Sequence, residues 1–386
     1  MALHFSTQEL AARRARACAA MAQEGLDGLL LFRQESMYYL TGYDSFGYVF
    51  FQCLYLGADG RITLLTRAPD LRQAQATSVI GDIRIWTDGP GANPADELKD
   101  ILARQGCRGK RLGVEYEAYG LTARSGKRLD AALEGFCILV DASGLVSALR
   151  VVKSESEIAY VRKAAELADI ALAEAERLCL PDAFEGDILA AMQGEIFKGG
   201  GDYPGNEFII GSGPGALLCR YFSGRRHLEP DDQLTLEWAA AYRHYHVAMM
   251  RTLRLGKLPA RQAEMHGVAV EALIAVEDAL KPGRPVGEAF DAHARVMDGA
   301  GYRAHRLNAC GYSLGATFAP TWMDWPMLYH GNPVEAEPGM IFFCHMIIFD
   351  SERGLASSLG RTSLVTERGA EPLSKAPLDL YAAAGR

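Results

Sequence analysis

The chain has 386 residues, of which 49% are apolar and 23% charged, and it carries a formal net charge of −8. This composition excludes a mainly disordered chain, and the acidic balance argues against a nucleic-acid partner, which would need a basic face. The apolar runs are too short for a membrane span, and the charged N-terminus lacks the pattern of a secretory signal. The eight scattered cysteines include no CxxC pair, so we expect reduced thiols in a cytoplasmic protein.

The first 150 residues alternate helical and strand patterns. Ser6 is a candidate N-cap for a helix over 7–24, whose apolar positions recur at helical spacing. Further helices are predicted at 69–77, 95–105 and 121–133, and strands at 26–32, 49–56, 62–65, 82–86, 111–114 and 137–140. This alternation is typical of a mixed α/β layer domain.

From residue 151 onward the pattern changes. Ser154 followed by Glu157 forms a capping-box pattern, and the next two dozen residues contain no Gly or Pro, which predicts a long helix. Other helices are predicted at 185–198, 259–281 and 287–300, and strands at 208–211, 233–240, 244–255, 340–349 and 361–366. The Gly-rich segment 211–215 is interpreted as a loop rather than a phosphate cradle, because no suitable helical pattern follows it.

Several polar residues interrupt the apolar strands of this second domain or lie in loops beside them. They are Glu237, His244, His246, Tyr312, His345 and Arg361. A lone carboxylate among apolar neighbours, such as Glu237, is costly unless it is paired or functional. His244 and His246 have the same parity on a predicted strand, so one sheet face would carry both imidazoles. Each residue alone fits a satisfied core group, but their concentration in one domain favours a site.

Two aromatic segments admit two interpretations each. In the segment 321–331, Trp322, Trp325 and Tyr329 lie around Asp324 in the sequence. This segment is either a packed surface loop or the wall of a ligand site. The segment 39–51 contains Tyr43, Asp44 and Tyr48. It is either an edge strand or part of a binding surface.

Five segments together resemble the pita-bread fold shared by methionine aminopeptidase, prolidase, aminopeptidase P and creatinase. They are RVVKSESEIAYVRKAA (150–165), EWAAAYRHYHVAMMRTLRLG (237–256), GYSLG (311–315), PGMIFFCH (338–345) and GRTSLVT (360–366). Creatinase and prolidase carry a similar N-terminal α/β domain, so the resemblance covers the whole chain. It implies an α/β (α+β) protein with a creatinase/prolidase-like domain at 1–150 and a C-terminal pita-bread domain at 151–386.

The peptidases of this superfamily hold two divalent metal ions with two Asp, one His and two Glu side chains. At the matching positions this chain has Glu237, Ala248, Tyr312, His345 and Gly360. Ala248 and Gly360 have no ligand atoms and only one carboxylate remains, so the resemblance implies neither a metal site nor a cofactor. Arg220 stands near the place of a further family His in the loop before the double strand.

Two branches of the superfamily work without metal: creatinase, which cleaves the guanidinium of creatine, and ectoine hydrolase, which opens the cyclic amidine of ectoine. The ectoine hydrolase pattern is more similar, with a Glu at 237, Tyr-x-x-Tyr-His at 242–246 and a GGDYP segment at 200–204. This chain departs from it around 345–346 and 360–361. The resemblance implies a metal-independent hydrolase of a non-peptide C–N bond. A creatinase-like amidinohydrolase and a non-catalytic binding protein are the alternatives, and a metallopeptidase is less favoured.

A mechanism follows for a planar, cationic amidinium substrate. Glu237 binds and attacks it, His246 or His345 serves as acid and then as base, and Tyr312 donates a hydrogen bond to the developing charge. Arg220 and Arg361 are candidates for holding a substrate carboxylate. The remaining candidate substrate contacts are Tyr43, Tyr48, Tyr242, His244, Trp322, Asp324 and Trp325.

The expected partners are a small-molecule substrate and a second copy of the chain, with no nucleic acid and no membrane. The homodimer is implied by the resemblance, because in creatinase-like relatives the N-terminal domain of one subunit helps to cover the site of the other.

Overall fold

The structure, a computed structural model, describes residues 3–220 and 224–383. The chain divides into two compact units, Met1–Arg150 and Val151–Arg386. All eight cysteines are free thiols. Within the described residues, no helix combines the length and the apolar character needed to cross a membrane.

The N-terminal unit contains six α-helices and six strands in its described part. The helices are α1 (Thr7–Gln23), α2 (Gln34–Thr41), α3 (Leu71–Thr77), α4 (Pro94–Arg104), α5 (Ala123–Leu133) and α6 (Leu145–Arg150). The strands are β1 (Gly28–Leu31), β2 (Cys53–Gly57), β3 (Ile62–Arg67), β4 (Asp82–Trp86), β5 (Arg111–Val114) and β6 (Ile138–Asp141). They form one mixed sheet in the order β4-β3-β2-β1-β5-β6.

Helices cover both faces of this sheet. In the central strand β1, Leu29 and Leu31 pack into the cluster that contains Met21 of α1. Leu30, which points to the opposite face, packs with Leu102 of α4. A strand buried on both faces reads as a continuous apolar run, which is why the sequence pattern located it correctly.

The segment 39–51, for which the sequence suggested an edge strand or a binding surface, contains the end of α2, a loop and a 3-10 helix (Gly47–Val49). Contacts from a distant part of the unit fix the start of α2. The backbone N–H groups of Phe32 and Arg33 both donate to Glu115 Oε2 at 2.9 Å. The Ser36 hydroxyl donates to the other carboxylate oxygen of Glu115 at 2.5 Å. Because the acceptor for the start of this helix comes from a distant strand end, the local sequence carries no capping signal.

The C-terminal unit contains four α-helices and nine strands in its described part. The helices are α7 (Glu155–Leu178), α8 (Glu185–Lys198), α9 (Ala260–Ala279) and α10 (Gly287–Gly299). The strands are β7 (Ile209–Ser212), β8 (Asp232–Tyr242), β9 (Tyr245–Leu255), β10 (Ala309–Ser313), β11 (Asp324–Tyr329), β12 (Ile341–Asp350), β13 (Leu355–Thr366), β14 (Gly369–Pro372) and β15 (Ala382–Ala383). The main path is β11-β10-β12-β13-β9-β8-β7, with β14 paired to β13 and β15 paired to β9.

One face of this sheet packs against helices. The capping box of Ser154 and Glu157 at the start of α7 is present as predicted. The Tyr245 hydroxyl donates to Glu157 at 2.7 Å, and the Trp238 indole donates to the Ala168 carbonyl of α7 at 3.2 Å. Because side chains alternate along a strand, the neighbours of Trp238 point to the opposite face.

The turn between β8 and β9 corrects the expectation for His244. Tyr242 pairs with Tyr245, which leaves Arg243 and His244 as a two-residue turn with φ of 53° and 64°. Two positive φ values define the type I′ hairpin turn, which is normally built from Asn and Gly. His244 therefore lies outside the strand and does not share a sheet face with His246.

Candidate active site

The strand register brings together the five positions at which the sequence resemblance places the metal ligands of the superfamily. Gly360 of β13 lies opposite His345 of β12 and opposite Met250 of β9. Met250 in turn lies opposite Glu237 of β8. Ala248 is two residues from Met250, and Tyr312 of β10 pairs with Phe343, two residues from His345. With side chains alternating between the faces, Glu237, Ala248, Tyr312, His345 and Gly360 all lie on one face.

Glu237 is the carboxylate of this face. The residue is half-buried, and loss of water around the carboxyl group raises its pKa to about 7. The positive charge of Arg220 and a hydrogen bond from Tyr312 act in the opposite direction and offset part of this effect. Glu237 therefore exchanges a proton near neutral pH, as a general acid or base does, and a cationic ligand would favour its ionised form.

Tyr312 is buried and connects two polar side chains. Its hydroxyl donates to Glu237 Oε1 at 3.5 Å, the outer limit of a hydrogen bond, and accepts from the Trp322 indole at 2.8 Å. Burial, together with the negative charge of Glu237, raises the pKa of Tyr312 well above its usual value. The phenol therefore keeps its proton and acts as a donor towards Glu237.

His345 lies beside Tyr312, with the two ring centroids 5.7 Å apart. Burial lowers the pKa of His345 to about 4, and the nearby Arg220 charge acts in the same direction. Its Nδ1 atom is buried and has no hydrogen-bond partner among the described residues. The ring is therefore neutral at pH 7, which corrects the expectation that His345 serves as an acid and leaves it only the role of a weak base.

His246 is on the same face but is held by other hydrogen bonds. Its Nε2 accepts from the Gly205 backbone N–H at 2.8 Å, so the ring proton is on Nδ1, which lies 3.1 Å from the Thr317 hydroxyl and 3.4 Å from the Gly315 carbonyl. Burial lowers its pKa to about 4. Both ring nitrogens are engaged, which corrects the expectation that His246 is an equal candidate for acid and base.

The two arginines occupy different environments. Arg361 makes two hydrogen bonds, at 2.8 and 2.6 Å, to Glu277 of α9, which also accepts from Ser363 at 2.7 Å. Its charge is neutralised on the helix-covered face, so the expectation that Arg361 holds a substrate carboxylate is wrong. Arg220 is exposed, and its charge acts on Glu237, Tyr312 and His345, which makes it the cation of the site.

Three more of the predicted contacts have different surroundings. Tyr242 has the parity of Trp238 and packs on Tyr160 of α7 with ring centroids 5.8 Å apart, so it is on the helix-covered face. Trp325 is 46% exposed on β11, two residues from Met327, which pairs with Tyr312, so its assignment to the wall of the site stays a prediction. The third, His244, stacks on Phe318 with ring centroids 4.3 Å apart.

Asp324 and Trp322 lie on the segment that leads into β11. Trp322 is buried, and its indole makes the hydrogen bond to Tyr312 described above. Asp324 is half-buried and lies against Gly315, where an added Cβ would be 3.2 Å from Asp324 Oδ2. These residues form polar contacts, which neither the packed surface loop nor the aromatic wall suggested by the sequence had specified.

Tyr43 and Tyr48 belong to the N-terminal unit and are buried in it. The Tyr43 hydroxyl donates to the Gln52 side chain at 3.2 Å, and the Gln34 amide donates to the Tyr43 carbonyl at 2.7 Å. Tyr48 is 7% exposed and packs edge-on against Phe46. Their rings serve the core of this unit, which corrects their assignment as substrate contacts.

Gly205 was not singled out within the GGDYP region by sequence reasoning. A Cβ at this position would be 2.6 Å from the Thr321 carbonyl oxygen and 3.2 Å from the Trp322 nitrogen. The segment around Gly205 therefore packs backbone against backbone on the segment that carries Trp322, which only glycine permits. The sequence signal was the Gly-rich run, but its partner is more than 100 residues away.

The side chains present do not fit a two-metal centre. Ala248 has no ligand atom, and its backbone N–H and carbonyl both bond to the Thr362 hydroxyl, at 3.0 and 2.8 Å. A Cβ at Gly360 would be 2.7 Å from the Phe343 ring, so this ring fills the space that a glutamate there would need. Among the described residues, no group of three or more His, Cys, Asp or Glu side chains has a metal-binding arrangement.

Two family models match this chain and together cover most of its length. The model of metallopeptidase family M24 matches residues 159–367, and that of the creatinase/prolidase N-terminal domain matches residues 13–152. The chain belongs to metallopeptidase family M24. The predicted superfamily and the two-part α/β fold are thereby confirmed, and the family is one of hydrolases.

Individual relatives cover nearly the whole chain. The ectoine hydrolase of Halomonas elongata is 26% identical over 400 residues, which is 99% of each chain. An uncharacterized hydrolase/peptidase of Sinorhizobium fredii is 27% identical over 390 residues, 98% of each chain. The solved structure of dipeptidase PepE from Mycobacterium ulcerans has a TM-score of 0.85 at 24% identity and covers 98% of this chain and 99% of that one, which shows the fold.

Proposed function

We propose that this protein is a metal-independent hydrolase that opens a non-peptide C–N bond in a small zwitterionic amidine or amide. The reaction is most like that of an ectoine hydrolase, ring opening to N-acetyl-diaminobutyrate. The observation that carries the proposal is the donor set of the sheet face, on which Glu237 is the one carboxylate at the five positions where relatives bind metal. The similarity to the ectoine hydrolase of H. elongata over 99% of each chain supports it.

The charges of the site match a zwitterion. Glu237 supplies one negative charge, which a planar amidinium would pair with. Arg220 supplies a positive charge that is close enough to influence Glu237, Tyr312 and His345, and it is the candidate partner for a substrate carboxylate. Ectoine, which is a cyclic amidine that also bears a carboxylate, has this charge pattern.

Hydrolysis proceeds in two steps through a covalent intermediate. The ionised Glu237 carboxylate attacks the amidinium carbon, and an O–C bond forms. One C–N bond of the tetrahedral adduct then breaks, and the departing nitrogen takes a proton from the solvent and leaves as an amine. Water adds to the same carbon in the second step, and breakage of the O–C bond releases Glu237 and the amide product. The proton that His345 takes from the attacking water in the second step returns to the solvent, so protons balance over the two steps.

Tyr312 and His345 are the proton-handling groups of this scheme. Tyr312, which keeps its proton and lies 3.5 Å from Glu237, donates a hydrogen bond to the charge that develops beside the carboxylate. His345 is neutral at pH 7, so it accepts a proton from the attacking water.

Incubation with three substrates tests the function. We expect mass spectrometry to show the gain of one water by ectoine, and slower or no reaction with creatine or an Xaa-Pro dipeptide. Glu237→Gln is the matched inactive control. Turnover of the dipeptide alone would make the protein a peptidase, and thermal stabilisation by ectoine without turnover would make it a binding protein.

Metal content is a separate prediction. Because Ala248 provides no ligand and Phe343 occupies the space beside Gly360, we expect elemental analysis to find no stoichiometric divalent metal. Turnover should be unchanged, within about twofold, after dialysis against a chelator. About two Mn, Zn or Co ions per chain, or activity restored by one of these metals, would contradict metal independence.

A further inference from the structure

We propose that Trp322 is a positioning residue, whose indole N–H orients the Tyr312 hydroxyl so that its proton points at Glu237. This inference rests on the proposed function for its catalytic consequence, but its geometry stands independently. It assigns to Trp322 a hydrogen-bonding role, where the sequence suggested an aromatic contact with substrate.

The direction of the two hydrogen bonds that link Trp322, Tyr312 and Glu237 follows from their donor groups. An indole N–H can only donate, so Tyr312 must be the acceptor in the 2.8 Å contact with Trp322. A phenol has one proton, and among the described residues the other polar atom bonded to this hydroxyl is Glu237 Oε1 at 3.5 Å. The hydroxyl proton is therefore directed at the carboxylate, and donation by Trp322 polarises it further.

Trp322 is itself held in place. It is 1% exposed, and the backbone of its segment packs on Gly205, where a Cβ would be 2.6 Å from the Thr321 carbonyl oxygen. The Gly205 N–H donates to His246 Nε2 at 2.8 Å. The buried His246 thus anchors the Gly205 segment, and that segment supports Trp322, which orients Tyr312.

Indole resonances test the hydrogen-bond chain without any substrate. The protein has four tryptophans, so a 15N-labelled sample gives four indole signals, which single Trp→Phe variants assign. We expect the Trp322 signal to move with pH around neutrality as Glu237 titrates, and to stop moving in Glu237→Gln and in Tyr312→Phe. Trp238, which donates to the Ala168 carbonyl on the opposite face, is the internal control and should not move.

Kinetics of Trp322→Phe test the catalytic consequence. Loss of the indole donor should lower kcat tenfold to about a hundredfold with KM within about twofold, because it misorients a reacting group rather than removing a substrate contact. Trp238→Phe also loses a buried indole hydrogen bond and should lower stability but leave kcat unchanged.

The outcomes separate this proposal from the proposed function. A Trp322 signal that is constant between pH 5.5 and 8.5, or that moves equally in Glu237→Gln, overturns the positioning role whatever the substrate. If no amidine is hydrolysed but the signal titrates as expected, the proposed function fails and the hydrogen-bond chain stands. If Trp322→Phe does not fold, the other three Trp→Phe variants assign the remaining signal, and the titration in the parent decides.

Discussion

The charge of Glu237 has an energetic cost that depends on pH. Its pKa in the folded protein is about 7, above the usual 4.5 of a glutamate. The folded protein favours the protonated form of Glu237, and this preference adds to the free energy of unfolding. The added stability is fully present below pH 4.5 and is lost as the pH rises through 7. A site that keeps such a carboxylate is less stable at neutral pH than one with a neutral group of the same shape.

Glu237→Gln should therefore gain stability as it loses function. We expect the variant to be more stable than the parent at pH 8 by up to about 3 kcal/mol, with the difference vanishing near pH 4.5. Turnover should be abolished, since an amide is not a nucleophile. Denaturant unfolding at pH 5 and 8 measures the first effect and product formation the second.

The exposed Glu352 provides the control, since Glu352→Gln should change neither quantity. Turnover by Glu237→Gln within about tenfold of the parent, roughly 1.4 kcal/mol, would exclude the covalent mechanism. A loss of stability at pH 8 would mean that the carboxylate is structural.

The two arginines give a second prediction. Arg361→Lys replaces the two hydrogen bonds to Glu277 with a point charge, so stability should fall by about 1–3 kcal/mol with KM unchanged. Arg220→Met removes an exposed cation, so KM should rise about tenfold with little change in melting temperature. Steady-state kinetics and thermal unfolding of both variants distinguish a structural ion pair from a ligand contact, and a raised KM for Arg361→Lys would contradict our assignment.

Individual elements depend on distant groups as well as on local signals. Helix α2 starts at a buried carboxylate, Glu115, which accepts hydrogen bonds from the Phe32 and Arg33 N–H groups and from the Ser36 hydroxyl. The β8–β9 hairpin turns through a non-glycine pair, and the His244 N–H is fixed by donation to Asp202 Oδ2 at 3.0 Å. In both cases tertiary contacts supply what the local sequence lacks.

Removal of the Glu115 carboxylate should loosen α2. We expect Glu115→Ala to lower the free energy of unfolding by about 2–4 kcal/mol, because three donors lose their acceptor in a buried place. Amide hydrogen exchange should accelerate most in α2. Glu134→Ala is the matched control, since Glu134 is an exposed glutamate of the same unit. Equal effects of the two substitutions would show that Glu115 does not cap the helix.

At the scale of the whole molecule, the exposed apolar side chains of the N-terminal unit stand out. Phe46 is 71% exposed, Val49 47% and Phe50 51%, while the neighbouring Tyr48 is buried. Exposed apolar residues that are close together mark interaction surfaces in many proteins. This segment is the candidate surface for the homodimer that we propose.

Light scattering tests this assembly. We expect the parent to have about twice the chain mass of 42.0 kDa, and Phe46→Ser combined with Phe50→Ser to shift it towards the monomer. Tyr119→Ser is the control, because Tyr119 is equally exposed at 69% in the same unit. A parent that is monomeric at working concentration would remove this explanation for the exposed residues.

The sequence by itself determined the features that depend on local chemistry and on period. The capping box at Ser154 placed the start of α7, and apolar runs located strands such as β1 and β12. The spacing of motifs identified Glu237, Tyr312 and His345 as members of one site, which the strand register brings to one face. Parity divides the side chains of one strand between its two faces, but which residues of different strands meet depends on the register between the strands.

Only the tertiary structure decided which partner each polar group has. Glu277 neutralises Arg361 from a helix 84 residues away, and the Gly205 N–H, 41 residues from His246, engages its Nε2. Phe343 fills the space beside Gly360 although neither residue type signals it. Such pairings depend on where the chain returns in space, and no local pattern encodes the distance between residues that the fold alone brings together.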